Sequence, residues 1–144
     1  MAKYQHFEFN EFVASNEAKK RGIDNTPTFE IIDHIEEFIT KFLEPLRVAY
    51  GKPLVISSGY RCPRLNQAVG GVSTSAHKTG YAVDIQVKDI EGLFNFIAEW
   101  VKASGRYFDQ IFIETKGNTK WVHIGYKNQL GQQRRIISRL NIKE

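Results

Sequence analysis

Cysteine is nearly absent from this chain: Cys62 is the only one in 144 residues, which excludes an intramolecular disulfide and, with it, the Cys-rich structural zinc sites. Any metal must therefore be held by His and carboxylate side chains. Long apolar runs are missing too, since no stretch approaches the ~18 residues of a membrane helix, so membrane insertion is not expected. The opening MAKYQHFEF lacks the basic segment and apolar run of a secretory signal, which predicts cytoplasmic synthesis and a separate route for any action outside the membrane. There is no internal repeat, low-complexity tract or Pro/Ser-rich linker, in keeping with one domain over residues 1–144.

What is present is globular in composition. With 42% hydrophobic, 12% aromatic and 25% charged residues, neither a disordered chain nor a collagen-like or disulfide-framework protein fits. A chain of this length buries roughly 68% of its unfolded surface around a single core, and a monomer is the simplest expectation. The net charge of +4 is uneven: residues 116–144 carry seven Lys or Arg against one acid. Such an end, with Arg134, Arg135 and Arg139, raises nucleic-acid binding as a hypothesis. No recognised nucleic-acid motif accompanies it, so no nucleic-acid partner is expected.

Phe9, Phe12 and Val13 stand at helical spacing and predict a short helix over Phe7–Ser15. Thr26 before Pro27 reads as an N-cap and first helical residue, and Ile31, Ile35, Phe38, Phe42 and Leu46 continue a long core helix that Pro45 should kink and Gly51 close. A β-rich run, Leu54–Ser57, precedes a further helix over Pro63–Val69. Residues 70–80 read as an exposed loop. From Tyr81 the period switches to two, with Tyr81, Val83, Ile85 and Val87 on one face and Ala82, Asp84 and Gln86 on the other. Asp89 caps a second amphipathic helix ending at Gly105. Phe108–Thr115 and Lys120–Tyr126 then form a hairpin about Lys116-Gly117-Asn118-Thr119. This order of elements predicts an α+β fold: a small antiparallel sheet with helices packed against it.

Of the four histidines, His6 and His34 are set aside as terminal and boundary residues. His77 ends a Gly/Ser/Thr-rich loop, and Asp84 follows seven positions later on the polar face of the strand this loop enters. His123 sits mid-strand among Trp121, Val122 and Ile124, where an unpartnered imidazole would be costly to bury. Two imidazoles and a carboxylate make a three-ligand set that leaves the fourth tetrahedral position of Zn²⁺ open, as catalytic zinc requires. Each residue taken alone reads more readily as a hydrogen-bonded structural side chain, and only the surrounding words change that.

The words SSGYRCPRLNQAVGG at 57–71, STSAHKTGYAVDI at 73–85 and WVHIGY at 121–126 together resemble the zinc D-alanyl-D-alanine carboxypeptidase family of the Hedgehog/DD-peptidase superfamily, especially its small bacterial and phage-borne members. The stretch FEFNEFVASNEAKKRGIDNTP resembles the lead-in of that group, so the likeness spans about residues 7–126. It implies that His77, Asp84 and His123 ligate zinc, that Arg61 faces the active site, and that Ser75 helps hold the substrate, a peptidoglycan stem peptide. A fixed guanidinium at Arg61 suits the oxyanion that forms when water attacks a peptide carbonyl.

The family pattern often has an acid three residues before the final His, where this chain has Lys120. A turn at 116–119 pairs Glu114 with Trp121 and Phe112 with His123, which brings Glu114 to the His123 face and makes it the candidate general base, with Asp109 as fallback. Cys62 reads as a small hydrophobe and not a reactive thiol, and Trp121 and Tyr126 as core or cleft aromatics. The function predicted is zinc-dependent hydrolysis of a stem-peptide amide bond, as a D-Ala-D-Ala carboxypeptidase or an endolysin-type peptidase. Lys120 favours the rival, a non-catalytic zinc-containing module that binds wall peptides. Release by phage-type lysis, or attachment to a phage tail, would bring the protein to the wall.

Overall fold

The computed structural model describes residues 4–127 and 134–139; the first three residues of the opening segment, and Lys143 and Glu144 of the basic end, lie outside them. Helices and strands combine around one open five-stranded sheet, the α+β class that the pattern of elements predicts. The strands β1 (Val55–Ser58), β2 (Ala82–Gln86), β3 (Gln110–Lys116), β4 (Thr119–Gly125) and β5 (Ile136–Ser138) lie in the order β1-β2-β4-β3-β5. The pairings β1–β2, β2–β4 and β4–β3 are antiparallel, whereas β5 joins β3 in parallel. That last edge had no signature in the sequence because Ile136-Ile137-Ser138 is too short to show a period.

The helices depart from expectation where side chains choose different caps. The N-terminal segment divides into a 3-10 turn, Phe9–Phe12, and helix α1, Asn16–Arg21. Ser15 begins this helix instead of ending one, because its hydroxyl accepts the Ala18 amide at 3.1 Å. Helix α2 runs Phe29–Phe38 and is capped by Thr28, not Thr26. The Thr26 hydroxyl is taken by Asp24 at 2.6 Å, so Pro27 stays outside the helix.

A π turn, Ile39–Leu43, continues α2 into α3, Glu44–Tyr50, and Gly51 closes it with a φ of +78°. Pro45 explains the wide turn: it has no N–H for the Lys41 carbonyl, which accepts Arg106 Nη1 at 3.0 Å instead. Helix α4 covers Pro63–Ala68, and α5, Ile90–Ser104, starts on Asp89, whose carboxylate accepts the Gly92 amide at 2.9 Å.

Alternation along the strands divides the sheet into two faces. Val83, Ile85, Ile111, Ile113, Val122 and Ile124 bury against Phe38, Phe42 and Leu46 and the α5 stripe of Leu93, Ile97 and Val101. The opposite face carries Asp84, Phe112, Glu114, Trp121 and His123. Hydrophobic burial thus fixes one face, and the polar residues are left together on the other.

The described arginines of the basic end fold onto the chain. Arg139 reaches Glu91 and Asn95 of α5, Arg135 covers the Phe108 ring, and Arg134 Nη2 pairs with Asp109 Oδ2 at 2.5 Å. Burial opposes ionisation of Asp109, but the Arg134 contacts outweigh it and hold the carboxyl below its ordinary range. Arg134→Met is therefore expected to cost about 1–3 kcal/mol at neutral pH by leaving that carboxylate short of its partner. Because the folded-state pKa is lowered, the stabilisation is present above the unfolded value of about 3.9 and is lost as pH falls through the folded one. Urea melts of the two proteins should converge on acidification, and a constant gap would contradict this account. Among the described residues, no helix is long and apolar enough to cross a membrane.

Candidate metal centre

Strand register assembles half of the site. Asp84 of β2 lies directly across from His123 of β4, and Phe112 of β3 lies across from His123 on the other side. The Phe112 ring stacks on the imidazole at 5.7 Å between centroids.

His77 arrives from outside the sheet. The segment expected to be an exposed loop ends in a 3-10 turn, Ala76–Thr79, in which His77 is buried together with the capping Ser75. The Ser75 hydroxyl accepts the His77 amide at 3.2 Å. The loop after β1 holds the same histidine twice: the Arg61 amide donates to its carbonyl at 3.0 Å, and its Nδ1 donates to the Gly59 carbonyl at 2.7 Å. Gly59 is required there for space, since a Cβ would stand 2.4 Å from the Phe12 carbonyl oxygen. Asn25 completes the clasp, with Nδ2 donating to Val13 O and Tyr60 O at 3.0 Å each and Oδ1 accepting the Cys62 amide at 2.8 Å.

His77 Nε2 lies 3.3 Å and His123 Nδ1 lies 3.1 Å from Asp84 Oδ1, and one ligand atom from each residue falls within 4.8 Å of the others. A carbonyl only accepts, so the His77 proton is on Nδ1 and the Nε2 lone pair faces inward. That buried nitrogen has no hydrogen-bond partner. Burial resists ionisation of Asp84, and only positive charge on the side facing it, from an imidazolium or a bound cation, holds its carboxyl well below the usual range. A buried lone pair turned toward a carboxylate oxygen is repulsive unless a cation lies between them, so these residues fit a metal ion. Two nitrogens and one oxygen suit Zn²⁺ with a position left open.

The other predicted residues are placed as follows. Arg61 lines a groove of about 530 Å³ with Ser58, Gly59, Lys116 and Trp121. Glu114 is buried directly across from Trp121 and diagonal to His123, its Oε1 accepting Trp121 Nε1 at 2.8 Å. Asp109 is not brought to this group; it is buried against Arg134. Lys120 lies across from Thr115, and alternation puts it on the face opposite His123. Cys62 caps α4 through Sγ, which accepts the Leu65 amide at 3.4 Å. The aromatic alternatives separate: Trp121 lines the groove, while Tyr126 is buried and stacks on Phe38 at 5.2 Å. His6 bonds Glu44, and His34 bonds the Thr79 carbonyl.

Sequence reasoning missed Gly59, Asn25 and Gln110. The first had a signal in its place within the SSGYRCPRLNQAVGG stretch, but the partners of Asn25 and Gln110 are set by tertiary approach. Gln110 Oε1 lies 2.9 Å from His123 Nε2, on the far side of the ring from Asp84.

A sheet that brings two imidazoles and a carboxylate together at one point, with Arg61 lining a groove nearby, has the donor set of a single-metal centre. The chain belongs to the Peptidase M15 family, whose model matches residues 5–125. These are zinc-dependent, D-Ala-D-Ala carboxypeptidase-like enzymes of the Hedgehog/DD-peptidase superfamily. The comparison with curated proteins returns no match.

Proposed function

We propose that this chain hydrolyses an amide bond in peptidoglycan stem peptides, as a D-Ala-D-Ala carboxypeptidase or an endolysin-type endopeptidase. The observation that carries the reading is the convergence of His77 Nε2 and His123 Nδ1 on Asp84, with a groove of about 530 Å³ lined by Gly59, whose carbonyl holds His77, and by Trp121, which holds Glu114. His77, Asp84 and His123 would hold zinc, which when bound supplies a Lewis acid for the carbonyl and lowers the pKa of water toward neutrality.

The chain's own residues account for the other steps. Glu114, anchored by Trp121, takes the proton of the attacking water and returns it to the leaving amine. Arg61, whose backbone is pinned on both sides by the contacts of Tyr60 and Cys62 with Asn25, offers its guanidinium to the developing oxyanion. Ser75, which braces His77, steadies the substrate from the loop. Peptidoglycan lies outside the membrane, so the proposal includes delivery to the wall, either by phage-type lysis or as part of a tail.

The test is incubation of the zinc-loaded protein with purified peptidoglycan. New free amines and released peptides are expected. Tight zinc and wall binding without any release would overturn the hydrolase reading in favour of a wall-binding module.

A further inference from the structure

We propose that Gln110 is a positioning residue for the metal centre: its side-chain carbonyl selects the Nε2–H tautomer of His123 and so turns the Nδ1 lone pair toward Asp84 and the metal position. The proposal rests on the His-Asp-His centre and is independent of which bond, if any, the protein cleaves.

A neutral imidazole has one N–H, and the fully buried His123 has an oxygen at each nitrogen: Asp84 Oδ1 at 3.1 Å from Nδ1 and Gln110 Oε1 at 2.9 Å from Nε2. Left to Asp84 alone, the ring would put its proton on Nδ1, hydrogen-bond the carboxylate, and lose the atom that must bind a cation. An acceptor at Nε2 reverses that choice. His77 receives the same treatment from a different source, its outer nitrogen donating to the Gly59 carbonyl at 2.7 Å. Both histidines are thus held from outside by oxygen acceptors, one supplied by the backbone and the other by a side chain.

The reach of Gln110 has its own structural requirement. In the β3–β4 register Gln110 lies across from Gly125, and His123 lies across from Phe112. The amide must therefore run diagonally over residue 125 to meet the ring. A Cβ there would stand 2.9 Å from Gln110 Oε1 and 3.3 Å from its Cβ. Gly125 is absent from the glycines with positive φ, so its backbone conformation does not call for glycine; the space above it does. A glycine inside a strand ordinarily weakens it, and here it opens the slot that the glutamine occupies.

The experiment uses the full chain and follows the ring itself. Long-range ¹H–¹⁵N correlation spectra of the metal-free protein, at mildly alkaline pH, report which nitrogen of His123 is protonated, and competition with a chromophoric chelator reports zinc affinity. The wild type should show the Nε2–H pattern. Gln110→Leu should move the proton to Nδ1 and weaken zinc binding about 10–100-fold, the usual effect of losing a partner behind a ligand. Gly125→Ala should reproduce both changes by displacing the amide, whereas Gln110→Glu, which keeps an acceptor oxygen, should hold zinc nearly as well as wild type. Should Gln110→Leu fail to fold, Gln110→Asn keeps the amide but is too short to reach, and must show the same two losses. An Nδ1–H tautomer in the wild type, or unchanged tautomer and zinc affinity in these variants, overturns the proposal. Because no peptide is cleaved in either measurement, failure of the peptidase reading would leave the outcome intact.

Discussion

Asp84→Ala is expected to abolish zinc retention and to lower peptide release on the order of 10³-fold or more, matching the several kcal/mol of charge stabilisation that a bound metal contributes. The size of the effect follows from charge. Asp84 is the sole anion of the described donor set, and without it two neutral imidazoles face each other with nothing to offset a divalent cation. Asp84→Asn separates charge from shape, since it keeps an oxygen across from His123 but removes the negative charge. Its zinc affinity should fall between those of wild type and Asp84→Ala. The apolar face of β2, with Val83 and Ile85 buried, is untouched by either change, so circular dichroism should report an intact fold. Full activity in dialysed Asp84→Ala would remove this centre from the reaction.

Glu114→Gln carries the second large effect, a fall of about 10²–10⁴-fold in the rate of peptide release, the usual contribution of a positioned general base. The substitution is nearly isosteric, and its amide oxygen can still accept from Trp121 Nε1, the bond seen at 2.8 Å. Folding and zinc content should therefore stay at wild-type levels, because Glu114 is not in the donor group of His77, Asp84 and His123. That combination distinguishes loss of a proton acceptor from loss of the metal. If release survives unchanged, the proton leaves by another group. Asp109 is poorly suited to that task, since it is buried in a pair with Arg134.

Much of this was legible along the chain, for identifiable reasons. The β3–β4 register followed from the position of the turn, and with it the pairing of Phe112 with His123 and of Glu114 with Trp121. The α5 boundaries followed from Asp89 and Gly105, which act within one turn of the helix. Expectation failed where two neighbouring residues competed for one role, as with Thr26 and Thr28. It also failed at residues 70–80, where polar composition suggested exposure but bonds from His77 to the loop after β1 draw it inward, with Ser75 buried beside it. The partners of Asn25 and Gln110 were out of reach altogether, since a contact made 35 residues away along the chain, as between Asn25 and Tyr60, leaves no local periodicity.

The strap from Phe12 to Asn25 bears on any attempt to graft this fold onto another protein. It donates no ligand, and a designer trimming by ligand position alone would start the transplant at α2. Such a cut would discard the carbonyl that receives Tyr60 and the amide that spans Val13, Tyr60 and Cys62, leaving the arginine loop without its outer wall. The junction belongs upstream of Phe7, whose ring packs on Phe12 at 5.6 Å.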